Sequence, residues 1–245
     1  MKKTIAAVAA AAGILAAGLV FCLYNGIVWF NAPWPDEYPV RGVDVSHHQG
    51  AIAWPELAAR GVRFAFVKAT EGRDFKDTRF ARNQEEAAKA GLAVGAYHFF
   101  LCGKPGAEQA RNFIDTVPED AGALPPVLDM ECPAPASEAQ RQSARTEMRL
   151  FLEALEAHYG KRPIIYTTYA AYEAFIGKDF RQYPLWIRSI FTRPDADALG
   201  RGWLFWQYSS RGRLSGYDGP ERFIDLNVFN GTEDDFVRYS GVNRP

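Results

Sequence analysis

Asp129 and Glu131 stand two residues apart in VLDME, at the end of a short apolar run. Residues two apart on a strand face the same side, with Cα atoms about 6.6 Å apart, so the two carboxyls would share one wall. Like charges that close cannot both ionise cheaply. One pKa rises, and that group becomes a proton donor near neutral pH. A carboxyl pair holding one proton is what cleavage of a glycosidic bond requires: an acid for the leaving oxygen and an anion to stabilise or capture the oxocarbenium carbon. The competing reading is structural, with the two acids capping helices or pairing with Lys68 and Arg188.

A second polar constellation lies in GVDVSHHQG, residues 42–50, where Asp44, Ser46, His47 and His48 follow an apolar run. A metal site, a nucleophilic triad or one wall of a carbohydrate cleft would each use such residues. Adjacent histidines on a strand diverge and chelate one ion poorly, whereas paired zinc ligands favour wider spacing. The chain has no G-x-S-x-G elbow for a serine nucleophile. The expectation is therefore no metal and no cofactor, with Asp44 as the working residue and the histidines in loop and packing roles. His98 reads as a packed, hydrogen-bonded residue. Lys68 follows RFAFV, a run that should be buried, so it needs a carboxylate partner and argues for an acidic cavity.

These side chains need a scaffold, and short apolar runs alternating with helical patterns supply one from residue 41 onward. Eight strands are predicted, at 41–46, 63–70, 92–99, 125–131, 163–168, 184–189, 203–209 and 222–229. Helical patterns lie at 55–60, 79–90, 106–116, 138–159 and 169–176, with Gly91 and Gly160 as stops and Ser137 as a cap. The last three strands are joined by short segments without convincing helices. The expected fold is an α/β protein: an irregular single β/α barrel of about eight strands with incomplete helices. In such a barrel the chemistry sits at the C-terminal strand ends. There the sequence places Asp44, Lys68 and Glu71, Tyr97 and His98, Asp129 and Glu131, Tyr166, then Trp206, Gln207 and Tyr208, and finally Asp225 and Asn227. Acids from four strands would face one cavity.

At 245 residues the chain suits one large domain of this kind. With 28 basic and 29 acidic residues it carries no electrostatic case for nucleic acid. Lys2 and Lys3 precede an uncharged run, Thr4 to Phe30, long enough to span a bilayer. Cleavage at the small residues Ala16, Ala17 and Gly18 would leave LVFCLYNGIVWF as a hydrophobic mature end, so an uncleaved signal anchor is the expectation and secretion after cleavage the alternative. The positive-inside rule then places the remainder in the periplasm or outside the cell. The predicted organisation is an anchor at 1–30, a Pro-rich linker at 31–40 and the barrel at 41–245. Cys22 falls in the anchor. Cys102 and Cys132 match no zinc spacing, and in a compartment that permits disulfides they are a candidate pair.

The ordered motifs GVDVSHHQG, FVKATEG, VGAYHFF, VLDME, IIYT, LWI, FWQYSS and IDLNVFNG resemble those of the glycoside hydrolase family 25 lysozymes, across residues 41 to about 240. The resemblance implies an N-acetylmuramidase of irregular β/α-barrel fold, with peptidoglycan glycan strands as substrate. It implies Glu131 as general acid/base, Asp129 as its partner, and Asp44 and Asp225 completing the acidic cluster. Tyr97, Tyr166 and Trp206 would line sugar subsites, with Lys68 and Glu71 near them. Two positions depart from the family pattern: His47–His48, where other residues are frequent, and Arg188, where a small residue usually follows LWI. Arg188 would narrow the cleft or change the charge beside Glu131. A chitinase-like or endo-N-acetylglucosaminidase activity shares the Asp-x-Glu pattern, but residues 124–131 read LPPVLDME and lack the longer D-x-x-D-x-D-x-E signature. A non-catalytic wall-binding protein would more readily have lost Glu131. Nothing in the sequence sets an oligomeric state.

Overall fold

The computed structural model describes residues 2–119, 123–135 and 137–242. Helix α1 (Lys2–Tyr24) opens the chain, and no residue of its segment Ala7–Tyr24, of mean hydropathy 2.2, is buried. By length and composition it can cross a membrane.

Nine strands follow among the described residues: β1 (Arg41–Val45), β2 (Val62–Glu71), β3 (Phe75–Lys76), β4 (Ala93–Phe99), β5 (Val127–Met130), β6 (Ile164–Thr168), β7 (Leu185–Arg188), β8 (Phe205–Gly212) and β9 (Ile224–Phe229). Pairing runs β1-β9-β8-β7-β6-β5-β4-β2, and β1 with β2 closes the barrel; β3 is a short addition to the edge of β2. Every pairing from β1 through β2, β4, β5, β6 and β7 to β8 is parallel, while β9 is antiparallel to both neighbours. The cause is chain length. Only residues 213–223 join β8 to β9, and a parallel crossover needs about a dozen residues or more, usually with a helix. The eight predicted strands are all present, and the barrel is irregular as expected.

Around the strands lie α2 (Trp54–Ala59), α3 (Phe80–Lys89), α4 (Gly106–Ile114), α5 (Glu138–Tyr159), α6 (Tyr169–Ala171), continued by a π-helical turn at Tyr172–Ile176, and the short α7 (Ala196–Leu199). The Ser137 side chain caps α5 by accepting from the Gln140 amide, and Gly160 ends it in the left-handed region at φ 63°. Helix α8 (Glu233–Ser240) was not anticipated, although Thr232 and Asp235 form a capping box at its start. It carries Phe236 into the cluster that fills the barrel.

The interior follows from strand alternation. Phe64, Phe66, Val127, Ile164, Tyr166, Trp186, Phe205 and Phe229 point inward, while Val43, Val67, Leu128, Ile165 and Trp206 point out beneath the helices. Gly42 and Gly95 make room for the interior phenyl rings: a Cβ would come within 2.3 Å of Phe64 at one and 2.6 Å of Phe66 at the other. The aromatic floor so formed, with Phe66 and Trp186 stacked at 4.4 Å, supports the polar layer above. A disulfide joins Cys102, just beyond β4, to Cys132, the residue after Glu131.

Candidate active site

The same alternation that turns Val127 inward turns Asp129 and Glu131 inward above it. They open into a cavity of about 420 Å³ at the C-terminal ends of the parallel strands, which Asp44 and Asp225 also line. Asp44 and Asp225 are directly opposed in the β1–β9 ladder, a placement that costs free energy when both are charged. Tyr97, Tyr166 and Lys68 reach the cavity too. Seven predicted site residues therefore line one space, with Glu71 beside it.

Lys68 finds its carboxylate partner in Glu71, at Nζ–Oε2 2.6 Å, and its ammonium lies 5.0 Å from the Phe99 ring centre. Glu71 itself stands behind Lys68 and outside the cavity wall. With Lys68 committed, Arg188 is the other cation lining the cavity, set against four acids.

Trp206 is the correction. Its side chain is fully buried under the outer layer, where the indole nitrogen donates to the Ser189 carbonyl at 2.9 Å and the ring packs near Tyr38 and Trp203. It does not reach the cavity. The aromatic wall is supplied by Trp186, which sequence reading missed, with Phe99 and His48 at the margin. On β8 it is Gln207 that faces inward.

Trp186 also sets the direction of a hydrogen-bond chain. An indole nitrogen only donates, so the 2.9 Å contact from Trp186 Nε1 makes Asn227 Oδ1 an acceptor. Asn227 Nδ2 is then a donor to Asp44 Oδ2 at 2.7 Å, where Gln207 Nε2 also donates at 2.9 Å. Gln207 Oε1 in turn accepts from the Tyr166 hydroxyl at 2.9 Å, and Tyr166 Oη lies 3.5 Å from Glu131 Oε1. Asp44 is thus held as a double acceptor by two amides whose orientation is fixed.

The charges are correspondingly strained. Burial, then the charges of Glu131 and Asp44, push the Asp129 carboxyl well above the ordinary carboxylate range; its Oδ1 is sealed without a partner among the described residues. Burial likewise raises Glu131, which Arg188 and the Tyr166 hydroxyl partly offset. Asp225 is pushed well up by burial and by Asp44. Asp44 rises to about 6 through burial, although its two amide donors pull the other way. All four acids are thus biased toward their protonated forms, the bias a carboxylic acid needs in order to donate a proton.

His47 and His98 are tied into the surrounding structure, whereas His48, expected in a loop or packing role, lines the cavity. His47 binds Asp77 through ring and backbone, each at 2.8 Å. His98 is sandwiched among Phe100, Phe113 and Phe151 and bonded to Thr70 and Gln109, and burial lowers it to about 4, leaving it neutral.

A closed barrel with two adjacent inward carboxyls at the end of one strand, flanked by further acids and an aromatic wall, has the form of a glycoside hydrolase. The model of the glycosyl hydrolases family 25 matches residues 43–217, and this chain belongs to that family. It is similar to a family 25 glycosyl hydrolase structure from Bacillus anthracis, with TM-score 0.78 and 44% identity, covering 86% of this chain and 97% of that one. The bacterial lysozyme structure from Streptomyces coelicolor gives TM-score 0.71 at 33% identity over 82% of this chain and 96% of that one. Lysozyme M1 of Streptomyces globisporus is 34% identical over 80% of this chain and 70% of its own length.

Proposed function

We propose that the enzyme cleaves the β-1,4 bond between N-acetylmuramic acid and N-acetylglucosamine in peptidoglycan, with retention of configuration. The observation that carries this reading is the placement of Asp129 and Glu131 side by side in a cavity whose four acids are all held above their ordinary pKa. Glu131 protonates the leaving oxygen and then takes a proton from water. Asp129 orients the substrate's acetamido oxygen toward the anomeric carbon, and Asp44 and Asp225 supply negative potential that steadies the developing positive charge. Tyr97, Tyr166 and Trp186 offer ring faces and hydroxyls to the sugars. Lys68, tied to Glu71, stands at the edge of the cavity.

Helix α1 is read as an uncleaved anchor that holds the barrel outside the cytoplasmic membrane, and secretion after cleavage is the alternative. That reading rests on the length of Ala7–Tyr24 and on Lys2 and Lys3 before it.

The test incubates the full-length enzyme in detergent with purified peptidoglycan, beside its Glu131→Gln twin, and identifies the reducing ends released. Muramic acid ends from the parent alone are expected, with turnover down on the order of 10²–10⁴-fold in the twin. Glucosamine ends would move the cleavage site, and equal release by both proteins would remove Glu131 from its role.

A further inference from the structure

The end of α1 does not hang free of the barrel. The Arg211 guanidinium donates to the Tyr24 carbonyl at 2.6 Å and lies over the Tyr24 ring at 5.3 Å, and Arg222 covers the same ring at 5.4 Å. Arg222 also binds the side chain of Asn25, which is buried. Further along, Trp29 Nε1 reaches the carbonyls of Ile190 and Tyr208 at 3.0 and 2.9 Å, and Asn31 Nδ2 reaches those of Ser189 and Thr192, both at 2.9 Å.

Several of these partners adjoin residues of the cavity wall along the chain. Ser189 follows the cavity residue Arg188, Arg211 follows the cavity residue Ser210, and Phe223 precedes Asp225 by two. The apolar segment ends at Tyr24, so the residue that leaves the bilayer is in contact with a residue next to the cleft wall.

What surrounds that contact has the chemistry of a lipid interface. Phe30 and Phe191 stack at 6.3 Å and stand 58% and 67% exposed, beside exposed Ile27 and Val28. Arg211, Arg213 and Arg222 all lie over the Phe223 ring, and Asp218 and Glu221 share their loop. Aromatic rings and arginines with apolar stems concentrate at the headgroup layer, where a ring or stem meets hydrocarbon and the charge meets phosphate. An exposed apolar patch continuous with a spanning helix has the bilayer as its occupant.

We propose that the rim of the cleft at the ends of β7 and β8 and the start of β9 is a lipid-facing surface, seated on phosphate headgroups by Phe30, Phe191, Arg211, Arg213 and Arg222. The cleft then opens at bilayer level, and its substrate is glycan lying against the membrane, newly made strands still joined to lipid included, in preference to outer layers of the wall. The inference rests on α1 being an uncleaved anchor.

The test uses the full chain with Cys22→Ala, labelled with a fluorophore at Phe191→Cys or at Arg60→Cys. Arg60 ends α2 at the opposite end of the barrel and is exposed. Each protein is reconstituted in phosphatidylethanolamine–phosphatidylglycerol vesicles containing headgroup-nitroxide lipid. Flotation with the vesicles and quenching at position 191 at least threefold stronger than at position 60 is the expected result, with the difference reduced by Arg213→Glu/Arg222→Glu. Flotation with equal quenching at the two positions overturns the seating and leaves the anchor standing. Failure to float removes the anchor and the inference with it.

Discussion

Asp44→Asn should make the protein more stable and less active, and the gain should depend on pH. Burial carries the Asp44 carboxyl from 3.8 to about 6. Between those values the folded state holds a proton that the unfolded chain has released, so stability falls as pH rises through the window. At pH 7 the cost of keeping Asp44 ionised in the fold amounts to about 3 kcal/mol, and below about pH 4 it vanishes. Asparagine carries no such cost. Its amide oxygen can take the place of Oδ2 and keep both donors, Asn227 and Gln207. For a domain of this size ~3 kcal/mol is about 6–12 °C in Tm. Thermal unfolding of the full-length variant and parent in one detergent, followed by circular dichroism from pH 4 to 7.5, reads the effect. Convergence near pH 4 and a gap that opens toward pH 7 are expected, with turnover down on the order of 10²-fold from the lost negative potential. A pH-independent gap, or a variant less stable at pH 7, would refute the claim that this acid is held charged at the expense of the fold.

Four further perturbations separate the roles of these residues. Arg188 favours the Glu131 anion, so Arg188→Gln should raise that pKa, let the acid form persist, and move the alkaline limb of kcat/KM to higher pH; an unmoved limb counts against the pairing. Trp206→Phe should cost roughly 1–3 kcal/mol by loss of packing and of the bond to Ser189, with KM unchanged, whereas Trp186→Phe should lower turnover about tenfold by freeing Asn227. Equal KM increases in both would return Trp206 to the cleft. Replacing Cys102 and Cys132 by alanine opens a loop of 30 residues, worth about 3.5 kcal/mol of unfolded-state entropy; a Tm unchanged from the parent would show that the bond contributes no such constraint.

The acids were legible because a strand end fixes what its side chains face. In VLDME the period of two puts Asp129 and Glu131 on one face and the apolar Leu128 and Met130 on the other, so packing Leu128 and Met130 beneath the helices leaves both carboxyls to the interior. FWQYSS offers no such lever. Phe205 and Trp206 are both apolar and both buried, one in the barrel and one beneath the outer layer, so composition leaves the phase undecided. The phase was recoverable only from Gln207, an amide that would be stranded under the helices but finds Asp44 inside. The aromatic that does line the cleft, Trp186, was hidden for the same reason, between Leu185 and Ile187. The contact between Tyr24 and the cleft rim lay beyond any local pattern: Arg211 is 187 residues away, and Trp29 reaches Tyr208 across 179. The sequence marked one segment as stiff linker and another as strand end, yet the physical content is in their meeting. The segment from Trp29 to Asn31, bonded to the barrel by indole and amide donors, does not act as a spacer, and under the proposed anchoring of α1 it would hold the mouth at a fixed distance from the membrane, as a flexible tether would not.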